Sequence, residues 1–235
     1  MLKLATEHEA RGSAVMEWWD GQGAARVWER DGGVVLLERA TSECALSAYA
    51  RTGNDEMATR ILCQTIACLH EPRTSSPPPV VDLQEWFRDL ETQASRYRGP
   101  FLRAAEVARK LLAEPREEVV LHGDIHHDNV LDFGERGWLA IDPKGLRGER
   151  AFDYANIFCN PDLACAEPPV AVRPEVFRRR LDVVVECSGL DRRRLLEWII
   201  AWTGLSAVWF LDDHQNADID LAVMQLAEAA LRDLN

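Results

Sequence analysis

The stretch His122-Gly123-Asp124-Ile125-His126-His127-Asp128-Asn129 decides the reading of this 235-residue chain. It is a dense polar run between two apolar segments, Val119-Val120-Leu121 before it and Val130-Leu131 after it. A polar run on short strands is a loop with a rigid base, where reactive groups are usually placed. Trp138-Leu139-Ala140-Ile141 reads as a further strand, closed by Asp142-Pro143-Lys144-Gly145. Asp124 and Asn129 are five residues apart, and Asp142 follows at the next strand end. Transfer of a phosphoryl group to a hydroxyl needs this set. One carboxylate accepts the hydroxyl proton, while an amide oxygen and a second carboxylate hold magnesium on the phosphates. Hard oxygen ligands suit that ion, whereas thiolates do not.

Working outward, the first forty residues read as a small α+β unit. Met1 to Ala5 predicts a strand, and Glu9 to Trp19 carries apolar residues at helical spacing. Ala25–Trp28 and Val34–Leu37 predict two strands joined by the turn Arg30-Asp31-Gly32-Gly33. The remainder is mostly helical, with helices predicted over 55–70, 83–97, 101–113, 175–187, 191–211 and 218–234. Asp191 is a favourable N-cap for the second of the three tail helices.

Composition sets the outer limits. Apolar residues make up 47% and charged residues 28%, the balance of a globular protein. The formal charge is −12, and the isoelectric point is about 5.0. An acidic chain argues against nucleic acid or an anionic membrane as main partner and permits a cationic ligand. The longest apolar run, Trp198 to Leu211, is interrupted by Thr203, Gly204 and Ser206. It falls short of the ~20 residues that span a bilayer. The N-terminus lacks the apolar core of a signal peptide, and six cysteines without a C-x-x-C pair read as reduced thiols. Both point to a cytoplasmic protein. Oligomeric state has no signature in the sequence.

The spacing of Asp124, Asn129 and Asp142 resembles the kinase catalytic loop, D-x-x-x-x-N followed by a metal-binding Asp. Here the loop opens His-Gly-Asp, and Asp142 is followed by Pro143. With those departures the chain resembles the aminoglycoside phosphotransferase family, and within it the streptomycin 6-phosphotransferase branch. The resemblance is carried by residues 122–129, by Arg136-Gly137-Trp138-Leu139-Ala140-Ile141-Asp142-Pro143 and by Phe152-Asp153-Tyr154-Ala155-Asn156. Trp18-Trp19-Asp20-Gly21-Gln22-Gly23-Ala24-Ala25-Arg26 and the stretch from Trp198 to Ala207 carry it as well.

The resemblance implies an α+β, protein-kinase-like fold of two lobes, a small sheet lobe over residues 1–40 and a helical lobe over 41–235. It implies ATP and Mg2+, with Asp124 as catalytic base and Asn129 and Asp142 as magnesium ligands. Lys3 falls at the ATP-phosphate lysine, and Glu9 is its implied partner, with Glu7 as the alternative. Glu38-Arg39-Ala40 matches the hinge that meets adenine, and Asp153 a buried carboxylate that braces the catalytic loop. The implied reaction moves the γ-phosphate of ATP to the 6-hydroxyl of streptomycin, which inactivates the drug and confers resistance. Kinases of this architecture carry a glycine-rich hairpin ahead of the lysine strand. With the lysine at residue 3 that hairpin is expected to be absent, leaving residues 1–5 as a sheet edge. The other expectation is therefore a truncated, catalytically impaired domain that binds a cationic ligand.

The histidines of the loop also raise a zinc hydrolase. No His-x-His-x-Asp-His order is present, and His126 and His127 read as loop-packing residues. A guanidinium-bearing aminoglycoside calls for paired carboxylates. Glu197, Asp212 and Asp213 are the candidates, with Asp218 and Asp220 behind them. Trp198, Trp202 and Trp209 recur at helical spacing and read as core residues.

Overall fold

The computed structural model describes residues 1–4, 7–42, 44–165 and 167–234, with backbone alone at residues 7 and 8. Ala5, the last residue of the first predicted strand, lies outside the described residues. The chain opens with β1 (Leu2–Leu4), α1 (Glu7–Trp19), β2 (Val27–Asp31) and β3 (Val34–Leu37). The three strands form an antiparallel sheet in the order β1-β3-β2, with Lys3 opposite Val35. Strand alternation sends Leu2 and Leu4 to solvent, 67% and 75% exposed, and turns Lys3 the other way. The second strand starts two residues later than predicted because the residues before it bond elsewhere. Ala25 N donates to Ala140 O and Ala140 N to Gly23 O, each at 2.9 Å.

Residues 38–42 lead from the sheet into the helical body, where Thr41 N and Ser42 N both donate to Asp132 O at 3.3 Å. There follow α2 (Leu46–Tyr49), α3 (Asp55–His70), β4 (Val81–Asp82), α4 (Leu83–Trp86), α5 (Arg88–Tyr97) and α6 (Pro100–Ala113). The single helix predicted over 83–97 is two helices. It breaks at Phe87, whose ring is buried against Phe152 and Trp198 and whose backbone leaves helical geometry.

The polar loop is framed by β5 (Glu118–Leu121), β6 (Val130–Asp132) and β7 (Trp138–Ala140). It is followed by β8 (Leu146–Glu149) and α7 (Ala151–Ala155). β6 and β7 form a hairpin, while β8 runs antiparallel to β5 and parallel to β4. β8 has no apolar alternation to reveal it. Its last residue, Glu149, is buried against Arg194, with Oε2 2.6 Å from Nη2.

The tail supplies α8 (Pro174–Ser188), α9 (Arg192–Asp212) and α10 (Asp218–Arg232). Asp191 caps α9 as expected, accepting from Arg194 N at 2.8 Å. α9 packs against α6, α7 and α10 and is buried almost continuously from Arg194 to Val208. At 21 residues it exceeds the run seen in the sequence and is long and apolar enough to cross a membrane, yet 72% of its apolar window is buried inside the protein. A second buried ion pair, Arg180 Nη2 to Asp55 Oδ1 at 2.6 Å, fastens α8 to α3.

One contact positions the polar loop and another seats α1 against the turn after β7. The first is the carboxylate of Asp153 on α7, which is wholly buried. Its Oδ1 accepts from Gly123 N at 2.8 Å and its Oδ2 from His122 N at 2.9 Å, with His70 Nε2 at 2.8 Å from Oδ2. Asp153 thus braces the loop. Burial pushes its carboxyl up, but the hydrogen bonds from His70 and the Gly123 N–H outweigh it and hold the group below the usual Asp range. Gly123 turns with φ at 85°, and a Cβ there would lie 2.7 Å from Leu146 Cδ1. The second contact is at Gly12 of α1, where a Cβ would fall 1.8 Å from the Pro143 carbonyl oxygen.

These contacts give two expected outcomes. Alanine in a helix interior ordinarily gains about 1 kcal/mol over glycine. Gly12→Ala will instead lose about 1–3 kcal/mol, because α1 must back away from Pro143; urea unfolding reads the sign. A carboxyl with a depressed folded-state pKa stabilises above its unfolded value and loses that contribution as pH falls through the folded one. Asp153→Asn will therefore cost about 3 kcal/mol at neutral pH, and the gap to wild type will close as pH drops below the ordinary Asp value of 3.8. A gap of the same size at pH of about 3 would contradict this assignment.

Candidate active site

Three segments converge on one cavity of about 310 Å3. β1 and α1 bring Lys3, Glu9 and Arg11, the polar loop brings Asp124, His126 and Asn129, and the turn after β7 brings Asp142, Pro143 and Lys144. Lys3 Nζ stands 3.0 Å from Glu9 Oε1 and 2.8 Å from Asp142 Oδ1. Glu9 is the partner seen here, and the side chain of Glu7 lies outside the described residues. Burial alone would lower the Lys3 ammonium, but its hydrogen bonds to Asp142 and Glu9 prevail and hold it above the ordinary lysine value. Asp142 is in the left-handed region, with φ at 58°. A non-glycine residue stays there only when its surroundings fix it. They do so through Ile141 N to Asn129 O at 2.9 Å and Lys144 N to His122 O at 2.7 Å.

The loop is built from its own side chains. His122 is buried, its Nε2 bonds Ile141 O at 2.8 Å, and its Nδ1 accepts from Asp124 N at 3.2 Å. Burial pushes this imidazole down, so it serves as a neutral scaffold. Asn129 Nδ2 donates to the Asp124 carbonyl oxygen at 2.7 Å, which orients the amide and leaves its oxygen as the other end. His127 packs into the core, where burial and then the neighbouring Arg180 hold it well below the usual histidine range. His126 does more than pack, since it lines the cavity.

A second cavity of about 360 Å3 also has Asp124 in its wall. It shares Trp86, Asp124, His126 and Lys144 with the first. Asn156 and Asn160 line it, with Trp202, Ser206, Trp209 and Phe210 of α9. Asp124 Oδ2 is 2.9 Å from Lys144 Nζ, and its Oδ1 accepts from Asn156 Nδ2 at 3.3 Å. Trp86 and Trp209 meet edge to face at 5.4 Å, and Trp209 Nε1 donates to Asp89 Oδ2 at 2.9 Å. The arrangement places one carboxylate between a polar, lysine-lined cavity and an aromatic one.

Several expected residues fall elsewhere. Glu197 lies near the start of α9, twelve residues or about 18 Å of helix from Trp209. It lines a separate cavity with Arg103, Arg193 and Glu228. Asp212 is engaged by Tyr97 Oη at 2.6 Å and Arg96 Nη1 at 3.2 Å, and Asp213 is exposed at the end of α9. Neither lines the cavities at Asp124. Glu38 bonds Arg136 and accepts from Arg26 N, and neither it nor Ala40 lines the Lys3 cavity. Arg136 outweighs burial to hold the Glu38 carboxyl down, so its side chain ties β3 to the turn before β7. Of the three tryptophans read as core, Trp198 is core, but Trp202 and Trp209 also wall the second cavity. Lys144, Asn156 and Trp86 were not singled out. The signals were the position of Lys144 two residues after Asp142, and of Asn156 three after Asp153.

Asn129 and Asp142 line the same cavity as Lys3 and offer an amide and a carboxylate. That donor pair fits magnesium, which takes one or two protein carboxylates and completes its shell with water and phosphate. Among the described residues no three His, Cys, Asp or Glu side chains gather to hold a metal.

Residues 1–214 match the family described as aminoglycoside/hydroxyurea antibiotic resistance kinase. A streptomycin 3''-kinase of Klebsiella pneumoniae is 52% identical over 236 residues, covering 98% of this chain and 88% of that protein. A streptomycin 6-kinase of Streptomyces glaucescens is 30% identical over 245 residues, covering 97% and 76%. Among solved structures, a choline/ethanolamine kinase family protein of Mesorhizobium loti superposes with a TM-score of 0.67 at 16% identity, covering 97% of this chain and 81% of that one. An aminoglycoside phosphotransferase of Streptomyces rimosus, solved with ADP and streptomycin, superposes with a TM-score of 0.57 at 19% identity, covering 84% and 81%. The α+β fold is thus protein-kinase-like, and the chain belongs to the aminoglycoside/hydroxyurea antibiotic resistance kinase family.

Proposed function

We propose that the protein transfers the γ-phosphoryl group of ATP to a hydroxyl of streptomycin and so inactivates the drug. The observation that carries this reading is the placing of Asp124 between the two cavities. ATP phosphates would occupy the side of Lys3, Asn129 and Asp142, and the aminoglycoside the side of Trp86, Trp202 and Trp209. In this reading residues 1–40 form the nucleotide lobe, whose hinge at 38–40 meets adenine through its backbone, and residues 41–235 form the acceptor lobe. Magnesium on Asn129 and Asp142 would supply charge neutralisation on the phosphates.

The chemistry assigned to this chain is short. Asp124 orients the acceptor hydroxyl and takes its proton as the oxygen attacks the γ-phosphorus. Lys3, steadied by Glu9, holds the phosphates in line. The indole faces of the acceptor cavity suit the planar guanidinium groups of streptomycin. This replaces the expected reliance on Glu197, Asp212 and Asp213 with an aromatic surface.

The choice of hydroxyl follows the relatives. The 52% identical protein is a streptomycin 3''-kinase, and this favours the 3'' position. The 30% and 29% identical streptomycin 6-kinases support the 6-hydroxyl as the second reading. With labelled ATP, magnesium and streptomycin, wild type is expected to transfer phosphate, and phosphorus-coupled NMR of the product to place it at 3''. Asp124→Asn will lower kcat by about 10²–10⁴-fold with an unchanged circular dichroism spectrum. Absence of transfer with retained streptomycin binding would replace the enzyme by a binding domain.

A further inference from the structure

We propose that Lys144 is the cation that stabilises the phosphoryl group in flight, and that Asp124 holds it in place until the acceptor proton arrives. This rests on the proposed phosphotransfer at Asp124. Among the described residues that line the two cavities, Lys144 is the one Lys or Arg common to both. Its Nζ is 2.9 Å from Asp124 Oδ2, the carboxylate at the junction. Its backbone is fixed, since Lys144 N donates to His122 O at 2.7 Å and its Cβ lies 3.2 Å from where a Cβ on Gly123 would stand. The side chain beyond is 44% exposed, and an ion pair this open to water adds little to folding. A placed ammonium that does little for stability, at the point where donor and acceptor meet, is a group for the reaction.

Lys3 and Lys144 differ in what confines them. Lys3 is gripped by two carboxylates, Glu9 and Asp142. For Lys144, Asp124 is, among the described residues, the one carboxylate within ion-pair distance. In the transfer step the acceptor oxygen forms its bond to the γ-phosphorus while the bond from that phosphorus to the bridging oxygen of ADP breaks. The electron pair of the broken bond leaves with ADP, and the hydroxyl proton passes to Asp124. Protonation cancels the charge on Asp124, so Lys144 loses its counter-ion as the three equatorial phosphoryl oxygens come within reach. Lys144 exchanges carboxylate for phosphoryl oxygen. Such an interaction is made in the transition state and hardly at all in the ground state, which is the kind that raises kcat.

The experiment compares wild type, Lys144→Met and Lys144→Arg with ATP, magnesium and streptomycin. Lys144→Met is expected to lower kcat by about 100-fold, with the KM values for ATP and streptomycin each within roughly threefold of wild type. Lys144→Arg, which keeps the charge, will recover at least about tenfold of that loss. The complex of ADP, magnesium, aluminium fluoride and streptomycin, which mimics the transferring group, will bind Lys144→Met about 100-fold more weakly, while ADP alone binds as in wild type. A Lys144→Met enzyme with near wild-type kcat, a loss confined to KM, or undiminished binding of the fluoride complex would overturn the inference. Lack of transfer by wild type itself would overturn the phosphotransfer reading, and the role of Lys144 with it.

Discussion

The buried carboxylate of Asp153 is the constraint on which the site depends. It accepts the backbone N–H groups of His122 and Gly123 at the point where β5 ends and the polar loop begins. Without an acceptor there, two buried donors would stay unpaired and the loop would have no fixed origin. From that origin, His122 spans to Ile141 O and joins the loop to the strand end that presents Asp142. Asn129 then closes the loop on the Asp124 carbonyl. One buried charge therefore sets, through three short links, where Asp124, Asn129 and Asp142 stand.

The small sheet enters the same frame by two routes. Gly23 and Ala25 bond the backbone of Ala140, and Gly12 lets α1 touch Pro143. Lys3 and Glu9 ride on these elements, so the distance from the Lys3 ammonium to Asp142 is fixed by backbone contacts as much as by charge. The inversion at β1, with apolar Leu2 and Leu4 outward and Lys3 inward, fits that role.

The sequence was legible where the chemistry is local. Asp124, Asn129 and Asp142 sit within twenty residues, and the structure brings the three to one cavity. Asp191 capped its helix because capping is decided within three residues. It was less legible where tertiary packing decides. Phe87 breaks a helix whose periodicity continues, because its ring is claimed by Phe152 and Trp198. β8 shows no strand pattern, because its inward residue is a glutamate answered by Arg194 across the core. Substrate acids were sought by charge, and Glu197 failed because α9 is long enough to separate its two ends. Trp202 and Trp209 were read as core because periodicity shows which face of a helix is apolar and cannot show where a neighbouring wall stops.

That last point bears on how the protein can adapt. The aromatic wall of the second cavity belongs to α9, the helix that also carries the centre of the hydrophobic core. A change at Trp202 or Ser206, both buried, alters the cavity wall and core packing in one stroke. Leu163 and Ala164 face the same cavity from a connecting segment, and Trp86 from a one-turn helix. Reshaping of this cavity thus falls to these lighter elements rather than to the rigid wall. The shape of the cavity is therefore coupled to folding along a single helix.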